Sequence, residues 1–305
     1  MHIIGRCSRC GHLLTEEAPY CPRCGQTVSG RGGATLTVSG GLLERLRDPV
    51  ERRALGWLVG LGAPGWLLIV TFVIGGMGVP LLFVGMIVLM VLMMELFMAA
   101  YIKTNAVEVS ERQLPEVYAA ARECCEKLGM AVPSVYVMQQ SVWNAFAMKA
   151  VGRRMVILLS GAIDSVLLKG DMEQLKWVVA HEIGHHFAGH LGFWRRCAEA
   201  AFWLPWFVLW YKRRAELTCD RIGLYCCGDL RKSSLALANM TVGAQLAEKV
   251  DAAEAIRQWE AHREEFFVRY RTIYSTHPHN LWRFAEMTKA ARELGLGPEG
   301  VGATS

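Results

Sequence analysis

The chain has 305 residues, of which 52% are hydrophobic and only 20% are charged. This composition is more apolar than a soluble domain of that size requires, so we expect part of the chain to lie in lipid. The net charge of +5 is small and the arginines are spread along the sequence, which argues against a nucleic-acid-binding protein. The length fits one catalytic domain with small appendages.

The N-terminal region contains two Cys-x-x-Cys pairs, each followed by glycine. The cysteines are Cys7, Cys10, Cys21 and Cys24. Four sulfurs at this spacing can close a tetrahedral zinc site, and the segment resembles the short zinc ribbons at the ends of many bacterial and archaeal proteins. Four unrelated reduced cysteines are the alternative. No apolar signal sequence precedes them, which favours reduced thiols facing the cytosol and membrane targeting by an internal segment.

A stretch rich in glycine, serine and threonine follows, and it predicts a linker over residues 27–53 with one short strand at 34–38. Residues 54–94 then form a run of 41 residues without a charged side chain. A single membrane span needs only about 20 residues, and the glycines and proline at 75–80 supply a turn. We therefore predict helices at 55–74 and 79–100, forming a transmembrane hairpin over 54–102. A buried helical pair in a soluble core is the alternative.

Basic residues flank the hairpin on both outer sides and its turn has none, so both ends are expected to face the cytoplasm. Alternating apolar residues then predict strands at 132–138 and 155–159, which make a small sheet. Asp171, with Gln174 three residues later, has the pattern of a capping box. A helix is expected to begin there and to run to about His190.

That helix contains the sequence His181-Glu182-Ile183-Gly184-His185, which reads H-E-x-x-H. Residues four apart share a helix face, so the two imidazoles can bind one metal ion, with Glu182 beside it as general base. Catalytic zinc also needs a third protein ligand and an open position for water. The alternative is an exposed helix with two incidental histidines. The neighbouring histidines at 186 and 190 are not expected to bind the metal.

Two carboxylates four residues apart, Glu216 and Asp220, lie on the next predicted helix. One can bind the zinc while the other supports a ligand. In this order the motifs resemble the HtpX and CaaX-prenyl-protease family of membrane zinc metallopeptidases, a gluzincin group whose pattern is H-E-x-x-H followed by E-x-x-x-D. The resemblance implies that Glu216 is the third zinc ligand and that Asp220 orients the imidazole of His181.

The likeness extends to two further segments. The first consists of Asn144, Ala145, Phe146 and Ala147. It resembles the family's edge-strand segment, which implies that an extended substrate peptide adds to this edge. The second, Thr276-His277-Pro278 with Arg283, resembles the family's H-P-x-x-x-x-R ending. It implies that His277 donates a hydrogen bond to the tetrahedral oxyanion and that Arg283 holds a carboxylate or a substrate group. A histidine that only caps the helix before Pro278 is the alternative.

The chain departs from the HtpX pattern between the two metal-binding helices, where close relatives insert two membrane spans. Here only 30 residues lie between His185 and Glu216, and both helices must end on the same side of the membrane. Residues 200–211 are therefore expected to dip into the membrane interface, with aromatic side chains at headgroup level and basic ones against anionic lipid; a buried soluble helix is the alternative. The aromatic residues are Trp203, Trp206, Trp210 and Tyr211, and the basic ones are Arg195, Arg196, Lys212, Arg213 and Arg214.

These features together predict an α+β, mainly helical fold. It comprises a zinc ribbon at 1–26, the hairpin, a zincin-like metallopeptidase domain with a small mixed sheet at 103–290, and a tail at 291–305. The predicted function is a membrane-anchored zinc endopeptidase of membrane-protein quality control, with one catalytic zinc and one structural zinc in the ribbon. Its expected partners are membrane or misfolded polypeptides and the lipid bilayer. A non-catalytic zinc-binding adaptor and a CaaX-type protease of prenylated peptides are the alternatives.

Overall fold

The computed structural model describes residues 3–6, 13–15, 40–76, 79–139, 145–150, 152–198 and 204–296. The four cysteines of the predicted ribbon and the strand predicted at 34–38 lie outside the described residues. Near the N-terminus, strands β1 (Ile3–Arg6) and β2 (Leu13–Thr15) pair antiparallel.

The described chain from residue 40 onward is mainly helical, as predicted. Its elements in chain order are α1 (Gly40–Leu46), α2 (Glu51–Gly75), α3 (Val79–Asn105), β3 (Val107–Glu108), α4 (Pro115–Leu128), β4 (Ser134–Met138), β5 (Ala145–Ala150), β6 (Arg153–Leu159), α5 (Ser160–Leu168), α6 (Met172–Phe187), α7 (Phe193–Ala198), α8 (Pro205–Cys227), α9 (Leu230–Val242), α10 (Ala252–His262), α11 (Phe266–Tyr274) and α12 (Asn280–Leu294). We call α1 together with everything from β3 to α12 the folded body.

The sheet of the folded body has the strand order β3-β4-β6-β5. Strands β4 and β6 are parallel, whereas β3 pairs antiparallel with β4, and β5 antiparallel with β6. The small mixed sheet is therefore confirmed, and the strands predicted at 132–138 and 155–159 correspond to β4 and β6. Strand β5 lies at the edge: among the described strands it pairs with β6 alone, and it packs beside α6.

Helices α2 and α3 are both long and apolar enough to cross a membrane. Only 17% of the most apolar window of α2 is buried, and none of that of α3, so most of the apolar length of each helix lies outside the described core. Both exceed the helices predicted at 55–74 and 79–100 by a few residues. The part of α3 nearest the folded body is anchored, because Ala99 and Ile102 are buried against β4 and β6.

Helix α6 lies at the centre of the folded body, where it packs against α4, α8, α9 and the sheet. Its contact with α8 is close because glycines lie where the two helices meet. A Cβ built at Gly184 of α6 would lie 3.3 Å from Sγ of Cys219 and 3.2 Å from Cδ1 of Ile222, both on α8. Gly223 of α8 has the same role toward α6. Side chains from the two helices can therefore reach a common site.

The end of the predicted linker differs from the structure. Residues 40–46 form α1, and Leu46, Asp48 and Glu51 are all buried. Arg221 of α8 donates from Nε to the carbonyl oxygen of Leu46 at 3.0 Å. Packing against α8 thus orders this segment, and the folded body begins before the hairpin.

From Pro205 onward the apolar segment at 200–211 is the first part of α8, and Tyr211 does not take the surface position predicted for it. Tyr211 is only 2% exposed and packs in a cluster with Ala54 and Leu58 of α2, whereas Trp206 is 41% exposed. The segment therefore contacts the first turns of α2 as part of α8. Trp203 lies outside the described residues.

Three of the five basic side chains predicted to lie against lipid instead point into the protein. Arg214 lies 3.6 Å from the carboxylate of Asp48 and its side chain is only 17% exposed. The guanidinium of Arg195 lies over the ring of Tyr211, 4.3 Å from its centroid. Arg213 is buried and donates from Nη1 to the carbonyl oxygens of Ile273 and Ser275, at 3.0 and 2.6 Å. All three were misassigned because these polar contacts within the protein are not visible in a charge pattern.

Candidate metal centre

Helix α6 begins where predicted, because Asp171 caps it. The carboxylate of Asp171 accepts hydrogen bonds from the backbone N–H of Gln174 at 3.2 Å and from Lys232 of α9 at 2.6 Å. The side chain of Gln174 donates to the same carboxylate, at 2.6 Å, instead of returning to the backbone as in a capping box. The cap therefore fixes both the start of α6 and its position against α9.

The structure brings the side chains of His181, His185 and Glu216 together where α6 meets α8. Nε2 of His181 lies 3.3 Å from one carboxylate oxygen of Glu216, and Nε2 of His185 lies 3.5 Å from the other. One ligand atom from each residue can be chosen so that all three lie within 4.8 Å of one another. Two imidazole nitrogens and a carboxylate are a donor set of catalytic zinc sites, which keep a further position open for water. The donor set therefore fits a zinc ion.

Asp220, one turn after Glu216 on α8, lies behind His181. Its carboxylate is 3.0 Å from Nδ1 of His181, and Arg283 of α12 donates to both of its oxygens, from Nε at 2.8 Å and from Nη2 at 2.6 Å. Burial alone would raise the pKa of Asp220, but the Arg283 guanidinium and His181 hold that pKa below its ordinary value. An ionised Asp220 at this distance favours a proton on Nδ1 of His181, which would leave Nε2 free to bind metal.

Glu182 is buried, with 7% of the residue exposed, and lines the same cavity as the three candidate ligands. Its carboxylate lies near the backbone N–H of Ala147 in β5. Burial raises the pKa of Glu182 to about 7. A carboxyl group with a pKa in that range is suited to general acid–base chemistry near neutral pH.

The cavity beside these residues has a volume of about 410 Å³. One of its walls is the edge strand β5, through Ala145, Phe146 and Ala147. Asn144, which the sequence assigned to the same wall, lies outside the described residues. An edge strand that borders such a cavity can hold an extended peptide next to the metal position.

His277 lies on the loop between α11 and α12 and also lines the cavity. Its side chain is 67% exposed, and its Nε2 is 3.7 Å from Glu216. Oγ1 of Thr276 lies 2.9 Å from its Nδ1. The alternative role as a helix cap does not apply, because the N-cap residue of α12 is His279.

Sequence reasoning missed a contact between His185 and His190. Helix α6 ends at Phe187, three residues before the predicted end, and Gly189 takes a left-handed backbone with φ of 78°. The N–H of His190 then donates to the carbonyl oxygen of His185 at 3.0 Å, which brings the two Nδ1 atoms to 3.1 Å. The available signal was Gly189, since a glycine after a helix often adopts this turn. His186 points elsewhere and hydrogen bonds from Nε2 to the Met155 carbonyl oxygen of β6 at 3.0 Å.

A metal position between two ligand-bearing helices, beside a buried carboxylate and an edge strand, belongs to the class of metallopeptidase centres. Comparison with known proteins leads to the same class. The model of peptidase family M48 matches residues 111–195 and 191–291, which is more than half of the sequence. The chain therefore belongs to peptidase family M48.

Individual relatives are similar over parts of their length. A protein of Arabidopsis thaliana described as plastoglobule-localized metallopeptidase 48, chloroplastic, is 25% identical over 213 residues, which cover 62% of this chain and 61% of that protein. Proteins described as protease HtpX homologues are 38% identical over 82 residues in Polynucleobacter necessarius and 32% identical over 81 residues in Thermodesulfovibrio yellowstonii. Those matches cover 27% of this chain, and 27% and 28% of the two relatives. The chain thus spans less than two thirds of each relative. No solved structure matches the chain.

Proposed function

We propose that this protein is a membrane-anchored, zinc-dependent endopeptidase. The observation that carries the proposal is the meeting of His181, His185 and Glu216 at one position, in the cavity that Glu182 also lines. Membership of peptidase family M48 supports it. Zinc held by these three side chains would act as a Lewis acid toward water and toward the carbonyl of the scissile peptide bond.

Glu182 is the proposed general base. Its carboxylate takes a proton from the attacking water and passes it to the leaving amine. The same group must first accept a proton from the water and then release it to the amine. The carboxylate lies near the Ala147 N–H of β5, where the substrate backbone would lie.

The substrate is proposed to be a polypeptide bound in extended form along β5. Ala145, Phe146 and Ala147 line the cavity on this side, and Asn144 would continue the same edge. His277, close to Glu216 and largely exposed, would donate a hydrogen bond to the oxyanion that forms at the scissile carbonyl.

Helices α2 and α3 are proposed to cross the bilayer as a hairpin. The basic residues that flank the hairpin would hold the ribbon and the folded body on the cytoplasmic side. An endopeptidase in this position meets membrane proteins and misfolded chains, so we assign it to membrane-protein quality control. The two candidate spans in the described part of the chain are too few to enclose the chamber of a CaaX-type protease. Labels placed at Ser8 and Ser275 should both be reachable from the cytoplasmic side only, and opposite accessibility would exclude the hairpin.

The activity is tested by proteolysis of a loosely folded protein with the purified full chain, with and without a zinc chelator. Chelator should stop cleavage, and added zinc should restore it. Glu182→Gln leaves both imidazoles in place, so this variant should keep its zinc and lose turnover by at least about a hundredfold.

The matched control is Glu173→Gln, which changes an exposed carboxylate on the same helix and should leave cleavage unchanged. Full cleavage by zinc-bound Glu182→Gln would remove Glu182 from the mechanism. A wild-type protein that holds zinc at this site and cleaves no test protein would favour the zinc-binding adaptor.

A further inference from the structure

A second histidine lies directly behind the candidate ligand His185. His190 is 9% exposed, and its ring meets that of His185 nearly edge to face, with the centroids 5.2 Å apart and the planes at 69°. The two Nδ1 atoms are 3.1 Å apart. This is hydrogen-bonding distance, and it requires one nitrogen to carry a proton and the other to accept it.

The metal position decides which nitrogen carries the proton. His185 turns Nε2 toward Glu216, so metal binding through Nε2 places its proton on Nδ1. A ligating imidazole in proteins usually donates that remaining N–H to an acceptor, which fixes its tautomer and orientation. Nδ1 of His190 is in place to be that acceptor, and its own proton is then on Nε2.

Glu51 lies on the far side of His190. Its Oε1 is 3.4 Å from Nε2 of His190, and the Glu51 side chain is fully buried. Arg47 and Thr218 both donate to its carboxylate, and Thr218 lies on α8 between Glu216 and Asp220. Glu51 is thus an ionised carboxylate in the first turn of α2, and these two hydrogen bonds fix its position.

We propose that His190 and Glu51 are positioning residues for the zinc ligand His185. The chain Glu51–His190–His185 would orient one imidazole, as Arg283 and Asp220 orient that of His181. Glu51 lies outside the residues that match the M48 family model, so a residue at the base of the proposed membrane hairpin would contribute to the metal centre. The inference rests on the proposed zinc site but not on peptidase activity.

A different use of the same atoms is a second metal ion. His185, His190 and Cys219 also offer ligand atoms within 4.8 Å of one another. Sγ of Cys219 is 3.6 Å from Nδ1 of His190. Such an ion would require His185 to bridge two metals and a fully buried thiol to lose its proton. A single shared hydrogen bond needs neither, so we favour the positioning role.

The test measures zinc affinity on the full-length protein, in a background with Cys7→Ser and Cys10→Ser that removes the proposed ribbon zinc. Chelator competition gives the dissociation constant for the wild-type site, for His190→Ala, for Glu51→Gln and for both together. Each single change should weaken zinc binding by about 10–100-fold. The double variant should bind no more weakly than His190→Ala, because both residues act through the same hydrogen bond.

His190→Asn separates positioning from loss of packing. The asparagine side-chain oxygen can take the place of Nδ1 as acceptor, so His190→Asn should bind zinc within about threefold of wild type, well inside the loss expected for an unsupported ligand. When combined with His190→Asn, Glu51→Gln should cause no further loss of zinc affinity. The control Glu44→Gln removes an exposed carboxylate that pairs with Arg52 near the same helix, and it should leave zinc affinity unchanged.

The outcomes separate the inference from the function it builds on. Wild-type affinity in His190→Ala, additive losses in the double variant, or a second zinc lost on Cys219→Ser would each overturn the positioning role. If Glu51→Gln fails to fold, the difference in zinc affinity between His190→Ala and His190→Asn still tests the positioning role of His190. A His185→Ala protein that keeps its zinc would instead show that the proposed zinc site is wrong.

Discussion

Gly223 of α8 lies directly against Trp177 of α6. A Cβ built at residue 223 would be 2.9 Å from Cδ1 of the Trp177 ring and 3.1 Å from the Trp177 carbonyl oxygen. Because Trp177 is one turn before His181 on α6, this contact sets the distance between the two helices that carry the candidate ligands.

Gly223→Ala should therefore force α6 and α8 apart. We expect a loss of about 1–3 kcal/mol in the free energy of unfolding, the usual cost of overpacking, together with weaker zinc binding. Denaturant unfolding and chelator competition measure the two effects. Gly41→Ala is the control: it adds a methyl group on α1 where no described atom lies within 4 Å, so it should be neutral or stabilising by up to about 1 kcal/mol.

Arg283→Met should be among the most damaging single changes. It leaves Asp220 buried without its guanidinium partner, and breaking a buried ion pair costs about 3–5 kcal/mol. Zinc affinity should also fall, because Asp220 no longer holds His181. Arg283→Lys should restore little, since an ammonium cannot bind both carboxylate oxygens in the same way.

The control for this change is Arg122→Met, which removes an exposed pair with Glu126 and should cost less than about 1 kcal/mol. Urea unfolding measures both losses of unfolding free energy. Equal losses for Arg283→Met and Arg122→Met would contradict a stabilising ion pair between Arg283 and Asp220.

Asp171→Ala should destabilise the protein in a pH-dependent way. Burial would raise the pKa of Asp171, but Lys232 and Gln174 hold it below its ordinary value of 3.8. A carboxylate whose pKa falls on folding contributes stability above its ordinary pKa and loses it as the pH drops through the lowered value. The difference in unfolding free energy, about 1 kcal/mol for a lost cap, should hold from neutral pH to about 5 and narrow below about 4.

Unfolding of wild type and variant across this pH range is the measurement. Asp171→Asn should retain the cap but lose the ion pair with Lys232, so its effect should be smaller. If the difference in unfolding free energy between wild type and Asp171→Ala widens as the pH falls, the pKa of Asp171 is not lowered on folding.

Metal content gives a separate prediction, because the sequence offers two chemically different zinc sites. Purified protein should hold two zinc ions. A chelator should remove the zinc of the proposed open site at His181, His185 and Glu216 before the zinc of the proposed closed four-sulfur site. Cys7→Ser with Cys10→Ser should reduce the content to one while cleavage survives. His181→Ala should also reduce it to one but abolish cleavage. If the cysteine variant loses cleavage while the zinc at His181, His185 and Glu216 is still bound, the ribbon contributes to the active site.

Local sequence patterns were sufficient to predict many of the structural elements of this molecule. The uncharged run predicted α2 and α3, and the spacing of His181 and His185 predicted that both rings share one side of α6. The identity of the third ligand came from the resemblance, since spacing alone leaves Glu216 and Asp220 equivalent. The structure distinguishes them: Glu216 faces both imidazoles, while Arg283 holds Asp220.

Apart from the contact between His185 and His190, the contacts that were missed depend on distant parts of the chain. Glu51 begins an apolar helix, and no pattern around it indicates that His190 and Thr218 will surround it. Helix α1 was missed because the glycine-rich stretch before it reads as a linker, although Leu46 is fully buried. Packing against α8 orders both segments, and sequence periodicity does not report the packing partner.

The hairpin is an insertion into the folded body and not a leader in front of it. The chain packs α1 and Leu46 on α8 before the hairpin, and it returns through Ile102 to the sheet after it. With the hairpin in the bilayer as proposed, a single peptide-bond cut on either side of it would leave the body tethered by the uncut connection. Release of a soluble fragment would need cuts at both junctions, and that fragment would retain α1 only through the contacts of α1 with α8.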